Sequence, residues 1–385
     1  MNVGKDGAMV QVIIQRHKIY RQFYAEMPPN ISGTTACIDK ETSAKDENSL
    51  LLSEKITPKE NGNFEATKSN GFVVEKKKES TTYFEQELKW INIISIFILH
   101  ALAAFALITF PYSQKHLTKL HTYLVGQLVG FGVTGGAHRL WTHRAYKAKW
   151  PLRVILLYSY YTSGQNSLFD WVRDHRVHHK YSETEADPHD STRGFFFSHV
   201  GWLMMKKHPE VIRRGRQVDM SDVTSDPIVA FGEKHFVLFK ILCCFIIPTI
   251  IPVYLWNEEW YYAIFSQIAR YAISLNFTWS VNSAAHIWGS KPYDKTIAPA
   301  ENRFVAYVAM GEGWHNYHHV FPYDYKAAEL GNYSLNYTTF LIDMFSKIGW
   351  AYDLKQPSKE LIKAVREKRG HNHSHKTELS EEKSY

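Results

Sequence analysis

The chain alternates between long polar stretches and uninterrupted apolar runs, and that alternation sets its organisation. Residues 1 to about 85 are rich in Lys, Glu, Ser, Thr and Asn and carry the charge run EKKKES at 75–80. They predict a largely disordered tail, because such a composition buries too little apolar surface to offset the entropy lost on folding. The pattern changes at residues 91–110, 20 in a row with one His and no formal charge. At about 1.5 Å per residue this run crosses a bilayer core of about 30 Å. The turn PYSQKH leads into a weaker run at 120–137, whose Gly126, Gly130, Gly132, Gly135 and Gly136 lower helix propensity and permit close helix contact in lipid. Residues 236–256 form a third run and, after the acidic WNEEW, residues 260–281 a fourth. The pattern predicts an all-α integral membrane protein with four transmembrane helices. Residues 86–350 are expected to form its folded domain, with 138–235 and 282–350 outside the membrane, and 351–385 a polar tail.

Composition changes this picture little. A mean hydropathy of −0.32 suggests a soluble protein, but it averages polar tails with apolar runs, and the local pattern decides the class. Charge placement adds direction. Fifteen Lys and Arg lie in 138–235, against two in 111–120 and none in WNEEW, so the large segment is cytosolic by the positive-inside rule. Parity places residues 282–350 and both tails on the same side. Cys37, Cys243 and Cys244 form no framework of spaced pairs, which points to a reducing compartment. The apolar stretch at 10–14 is too short for a signal peptide, so insertion relies on an internal span. Two charges fall inside spans: Lys240, one turn in, snorkels to the interface, and Arg270, near a span centre, faces protein and forms a structural ion pair.

The candidate chemistry lies in nine of the 20 histidines: His138 and His143 in HRLWTH, His175, His178 and His179 in HRVHH, His286 in NSAAH, and His315, His318 and His319 in HNYHH. In each H-x-x-H-H run the helical period puts all three rings on one face, ready to form half of a metal site. A single zinc site uses about four protein ligands, so nine converging imidazoles imply two metals with four or five nitrogens each. Imidazole suits several transition metals; a carboxylate-poor pair with open positions for O2 favours iron. Asp174, Asp187 and Asp190 lie near HRVHH and are expected to orient imidazoles through their second nitrogens. Asn282, one helical turn before His286, either holds a metal-bound water or caps the end of its span. His100, alone on an apolar span, reads as a packed or hydrogen-bonded residue, and His371, His373 and His375 as a solvated tail.

The stretches GAHRLWTHR, DWVRDHRVHHKYSETEADPHD, RGFFFSHVGW, NSAAHIWGSKPYD and GEGWHNYHHVFPYDY resemble the membrane acyl-CoA desaturases of the stearoyl-CoA Δ9 type, particularly those of insects. The likeness covers about residues 89–350. Related hydroxylases and sterol oxidases lack the NSAAH and GEGxHNYHH contexts, and the HPGG motif of fusion-type front-end desaturases is missing. The resemblance implies a four-helix membrane stem in the endoplasmic reticulum under a cytosolic helical cap, both termini cytosolic, with two Fe ions and a closed, kinked tunnel for the acyl chain. It implies removal of two adjacent hydrogens from saturated acyl-CoA, with O2 as oxidant and cytochrome b5 as electron donor. By the same likeness the nine histidines are the iron ligands and Asn282 a ligand through water. Asn92, Gln165, Asn166, Trp171, Arg173, Asp174, Lys206 and Lys207 are acyl-CoA contacts, and Thr278 and Trp279 flank the tunnel bend.

Elementary chemistry agrees with part of this mapping. CoA is polyanionic, and Arg173, Lys206 and Lys207 supply cations; an acidic cytochrome would dock on a basic cytosolic face, in keeping with the net charge of +7. Three departures from the family pattern stand out. Trp314 replaces a Phe before His315 and either reshapes the site wall or packs outward. Lys206 replaces an Arg. Gly126 and Gly130 stand three and two helical turns before His138, where the family closes its tunnel, and either deepen the tunnel or serve helix packing. A di-iron hydroxylase, a metal transporter and an inactive scaffold are the rival readings.

Overall fold

The structure is a computed structural model that describes residues 86–329 and 333–370. The N-terminal tail, Cys37 and the trio His371, His373 and His375 lie outside these residues. Helix α1, Trp90–Thr109, is apolar on all faces, and its only buried residues are Ala103 and Ala106. Small side chains let it lie close against the long helix α6, Trp260–Asn282. Helix α2 spans His116–Phe131 and runs without a break into π-helical turns over Gly132–Thr142, all eleven of whose residues are buried. The second apolar run therefore begins four residues before the expected 120 and does not stop at 137. Gly132 explains the tight fit at this join, since a Cβ there would sit 2.3 Å from the backbone of Ser159 and Tyr160 in helix α3, Trp150–Thr162.

Helix α4, Leu168–Tyr181, starts at Ser167, whose hydroxyl accepts from Asp170 N at 3.2 Å. Helix α5, Phe236–Trp256, contains a π-helical turn at Leu242–Ile246 and ends at Asn257 in the left-handed conformation. Among the described residues α1 and α5 are the helices long and apolar enough to cross a membrane, with mean hydropathies of 2.4 and 2.5. α6 is long enough but carries Gln267, Arg270, Asn276 and Asn282, and α2 merges with its buried π-helical extension. Both packed helices thus trade apolarity for interior contacts.

Two short turns meet at one end of the bundle. Lys115, after α1, reaches Glu258 at 2.7 Å and Glu259 at 3.1 Å in the turn between α5 and α6. Beyond the opposite ends of these helices stand three short helices, α7 at His315–Val320, α8 at Tyr337–Lys347 and α9 at Lys359–Arg369. Residues 351–370, polar in composition, contribute more structure than a tail. Strand β2, Ala351–Tyr352, pairs antiparallel with β1, Lys147–Ala148, and Lys355 N donates to Ala145 O at 2.9 Å.

The two charges expected inside spans differ from expectation. Arg270 is buried but pairs with no carboxylate among the described residues; its guanidinium donates to Gln267 Oε1 at 2.8 Å, Cys244 O at 2.8 Å and Thr162 O at 3.3 Å. Helix ends and π-turns free such carbonyls, so backbone dipoles take the place of a counter-ion. Lys240 likewise turns to protein, donating to Gln165 O at 3.0 Å. His100 is hydrogen-bonded as expected, to Ile96 O at 2.8 Å and Asn276 Nδ2 at 2.9 Å.

Candidate metal centre

The nine histidines converge from four segments into two adjacent groups. His138, His143, His175, His179 and His318 form the first; His178, His286, His315 and His319 form the second; within each, one ring nitrogen per residue lies within 4.8 Å of all the others. The two H-x-x-H-H runs are not separate halves. Helix α4 gives His175 and His179 to the first group and His178 to the second, while α7 gives His315 and His319 to the second and His318 to the first. Rings four apart stack above one another on a helix and the intermediate ring is offset, so two helices laid side by side exchange their middle ligands. Ring stacking of His179 on His319, with centroids 4.2 Å apart, joins the groups.

The π-helix accounts for the remaining pair. His138 and His143 are five apart, a spacing that an α-helix splays to different faces. The i to i+5 bonding of a π-helix brings such residues together, with His143 N donating to His138 O at 3.1 Å and the two ring centroids 4.7 Å apart. His286 sits on the short helix Ala284–Ile287, just past the end of α6.

The donor set fits metal ions. Nε2 atoms face one another at 2.9 Å for His138 and His318, 3.1 Å for His175 and His179, 3.1 Å for His179 and His318, 3.0 Å for His286 and His315, and 3.1 Å for His315 and His319. Metal–nitrogen bonds of about 2.1 Å at right angles put their nitrogens about 3.0 Å apart. His143 Nε2 and His178 Nε2 are buried without a hydrogen-bond partner, an arrangement that is costly unless something else takes the lone pairs. Burial first, and neighbouring imidazoles second, push His143, His175, His179, His315, His318 and His319 well below the usual histidine range. These rings are therefore neutral, the form that binds metal.

Three carboxylates set ring orientation. His178 Nδ1 donates to Asp187 at 2.9 Å, His286 Nδ1 to Glu183 at 2.8 Å, and His138 Nδ1 stands 2.8 Å from Glu312. Each contact leaves Nε2 free to ligate. Burial alone would raise the Glu312 carboxyl, but Arg139 and His138 hold it below its usual range; Arg139 is itself buried and also bonds Tyr325 O, Thr339 and Asn336. Of the three aspartates expected to orient rings, only Asp187 does. Asp190 caps a 3-10 turn through Thr192 N at 2.9 Å, and Asp174 pairs with Arg173 at 3.0 Å and with Lys207. Glu183 and Glu312 escaped the sequence reading because Glu183 lies 103 residues from its ring and Glu312 lies 174 from His138. His189 was missed too. It lies beside Asp187 and His178 with Nδ1 3.6 Å from the carboxylate, and burial and His178 push it down to about 3.

A cavity of about 600 Å³ runs from His138 and His175, past Trp171, Thr278 and Asn282, to Gly130, Gly126 and the turn residue Tyr112. Trp171 Nε1 donates to Gln165 Oε1 at 2.9 Å and Gln165 Nε2 to Thr278 Oγ1 at 3.1 Å, which ties α4 to α6 across the cavity. Trp279 does not join this wall; it is buried and stacks on His100 with centroids 6.1 Å apart. Asn166 gives its carbonyl to Tyr160 OH at 2.7 Å, and Asn92 Nδ2 donates to Leu203 O at 2.8 Å. Arg173, Asp174 and Lys207 form one ion-pair cluster, whereas Lys206 is exposed and pairs with Glu87 at 2.7 Å. Trp314 is not part of the cavity wall; its indole donates to Leu335 O at 3.2 Å. Of the two glycines, Gly126 has open space where a Cβ would stand, but a Cβ at Gly130 would fall 2.1 Å from Met310 Sδ.

Sequence comparison places this geometry among known proteins. The fatty acid desaturase family profile matches residues 114–330. The chain is similar to an acyl-CoA Delta-9 desaturase of Acheta domesticus, 54% identical over 77% of this chain and 82% of that protein. It is similar to an acyl-CoA Delta12-desaturase of the same species, 50% identical over 78% and 84%. An acyl-CoA Delta(11) desaturase of Spodoptera littoralis is 48% identical over 76% and 88%. With the profile covering more than half of its length and relatives of this identity aligned along most of theirs, the chain belongs to the fatty acid desaturase family.

Proposed function

We propose that this membrane oxidoreductase introduces a cis double bond at the 9,10 position of long-chain saturated acyl-CoA, at two Fe ions, with O2 as oxidant and cytochrome b5 as electron donor. The observation that carries this reading is the pair of imidazole groups at one end of an elongated apolar cavity. The greater identity to the Delta-9 relative than to the Delta12 and Delta(11) ones supports the 9,10 position. Iron, when bound, supplies oxygen activation and hydrogen abstraction.

The residues do the rest. His138, His143, His175, His179 and His318 hold one metal; His178, His286, His315 and His319, with Asn282 through a water, hold the other. Asp187, Glu183 and Glu312 fix the rings. Arg173, Asp174, Lys206, Lys207, Asn92, Gln165 and Asn166 bind the CoA end, where Arg173 offers a bidentate fork to phosphate. Trp171 and Thr278 wall the chain and Trp279 supports the bend from behind, so geometry rather than carbonyl activation selects the carbons that meet the metals. The apolar wall keeps bulk water from that point.

α1 and α5 span the bilayer, and α2 and α6, packed against them, complete four spans. Lys115 supports this topology by tying the two short turns at one end, which leaves both termini and the cap cytosolic, in the endoplasmic reticulum membrane. The test is expression in cells that lack their own desaturase, fed single saturated chains, with double bonds located in the products. A 9,10 alkene is expected. An alcohol would establish a hydroxylase instead, and an unaltered chain from protein with both metals bound would sink the proposal.

A further inference from the structure

Helix α7, which carries His315, His318 and His319, is fastened from outside the metal centre. Asn316, between His315 and His318, is fully buried, and its side chain engages the loop at 293–299. Its Oδ1 accepts from Tyr293 N at 2.8 Å and Asp294 N at 3.1 Å; its Nδ2 donates to Asp294 O and Pro299 O, both at 2.9 Å. All the hydrogen-bonding capacity of the amide is used on backbone. Tyr317 N donates to Glu301 Oε1 at 2.7 Å, so side chains hold the first turn of α7 on two sides.

The loop is gripped in turn by α9. Lys295 N donates to Arg369 O at 3.0 Å, and Arg369 Nη1 stands 3.6 Å from Asp294. Glu329 accepts from Tyr293 OH at 2.5 Å and pairs with Arg366, whose guanidinium also lies 5.1 Å from the Tyr293 ring centroid. Ile362 of α9 is buried in a cluster with Tyr293, Tyr317 and Phe321, in which the two tyrosine rings meet edge to face at 4.9 Å. A continuous chain of contacts therefore runs from a surface helix near the C-terminus to the ligand helix.

We propose that α9 is a positioning element for the metal centre: it holds the 293–299 loop, and through Asn316 that loop fixes the rotation of α7. The inference rests on the metal-centre reading above. α7 supplies two of the four imidazoles of the second group and one of the five of the first. A loosened α7 thus strips the second group more severely, and its metal leaves first.

The experiment uses the full-length, iron-loaded protein and follows metal release after addition of a chelator, together with hydrogen exchange at the 315–320 amides. Ile362→Asp is expected to speed release from the second group about tenfold or more, the cost typical of disturbing groups that orient ligands, with faster exchange in α7 and unchanged exchange in α4. Arg366→Glu and Glu329→Arg alone are expected to act in the same direction, and the double charge swap to restore retention, which a general loss of stability would not do. Release at the wild-type rate in Ile362→Asp and both charge variants, with α9 exchanging freely, overturns the role of α9. If Ile362→Asp does not fold, the charge variants and their swap decide alone. A wild-type protein that retains no metal would instead refute the metal-centre reading itself.

Discussion

Gly126 offers the sharpest test of how the cavity reads chain length. It stands on α2, 12 residues before His138 and on the far side of the first π-helical turns. It lines the cavity, and a Cβ built on it meets nothing within 4 Å. Gly126→Leu would place four carbons in space that the tail of a long acyl chain fills. Each methylene denied burial costs about 0.8 kcal/mol, so a chain with four methylenes beyond this level loses about 3 kcal/mol, about 100-fold in kcat/KM. Chains that end short of it lose nothing. Leu also has a helix propensity better than Gly by roughly 0.8 kcal/mol, so folding should not suffer. The assay is competition between two saturated acyl-CoAs of different length, read as the ratio of unsaturated products. An unchanged ratio in a variant of wild-type unfolding temperature would refute the argument. Gly130→Leu is the contrast, because its side chain must displace Met310 before it reaches the cavity.

Glu312→Gln, Glu183→Gln and Asp187→Asn each remove the charge that orients one imidazole; each is expected to cost about 10–100-fold in metal affinity, measured by competition with a chelator. Burial pushes the Glu301 carboxyl up to about 8 from 4.5. The folded state therefore binds more protons than the unfolded one between these values, and stability falls as pH rises from about 4.5 through about 8. Glu301→Gln should flatten that decline in unfolding temperature, and an identical slope would refute the assignment. Arg270→Leu leaves Cys244 O and Thr162 O without their donor, a cost of about 1–3 kcal/mol for each buried acceptor, visible as a lower unfolding temperature in detergent; no change would mean the carbonyls find other partners.

Much of the site was legible along the chain. Imidazole is a specific ligand, so the local spacing of nine histidines was enough to single out the rings that the fold brings together in two groups. The apolar runs at 91–110 and 236–256 were equally plain, because transfer from water to lipid is a property of composition alone. The ligand partition was not legible. Helical periodicity puts three rings on one face, but only the placement of α4 beside α7 decides that His178 and His318 cross to the other group.

The sequence by itself thus determined the candidate donors, the helical class and the longest apolar runs, all set by residue type and short-range period. The tertiary structure alone decided which carboxylate orients which ring, that Arg270 is satisfied by backbone carbonyls, that π-helical winding unites His138 with His143, and that of two glycines lining the cavity only Gly126 leaves room for a side chain. The physical reason is common to these. Each depends on distances between segments far apart along the chain, which the packing of the whole domain sets and no local pattern encodes.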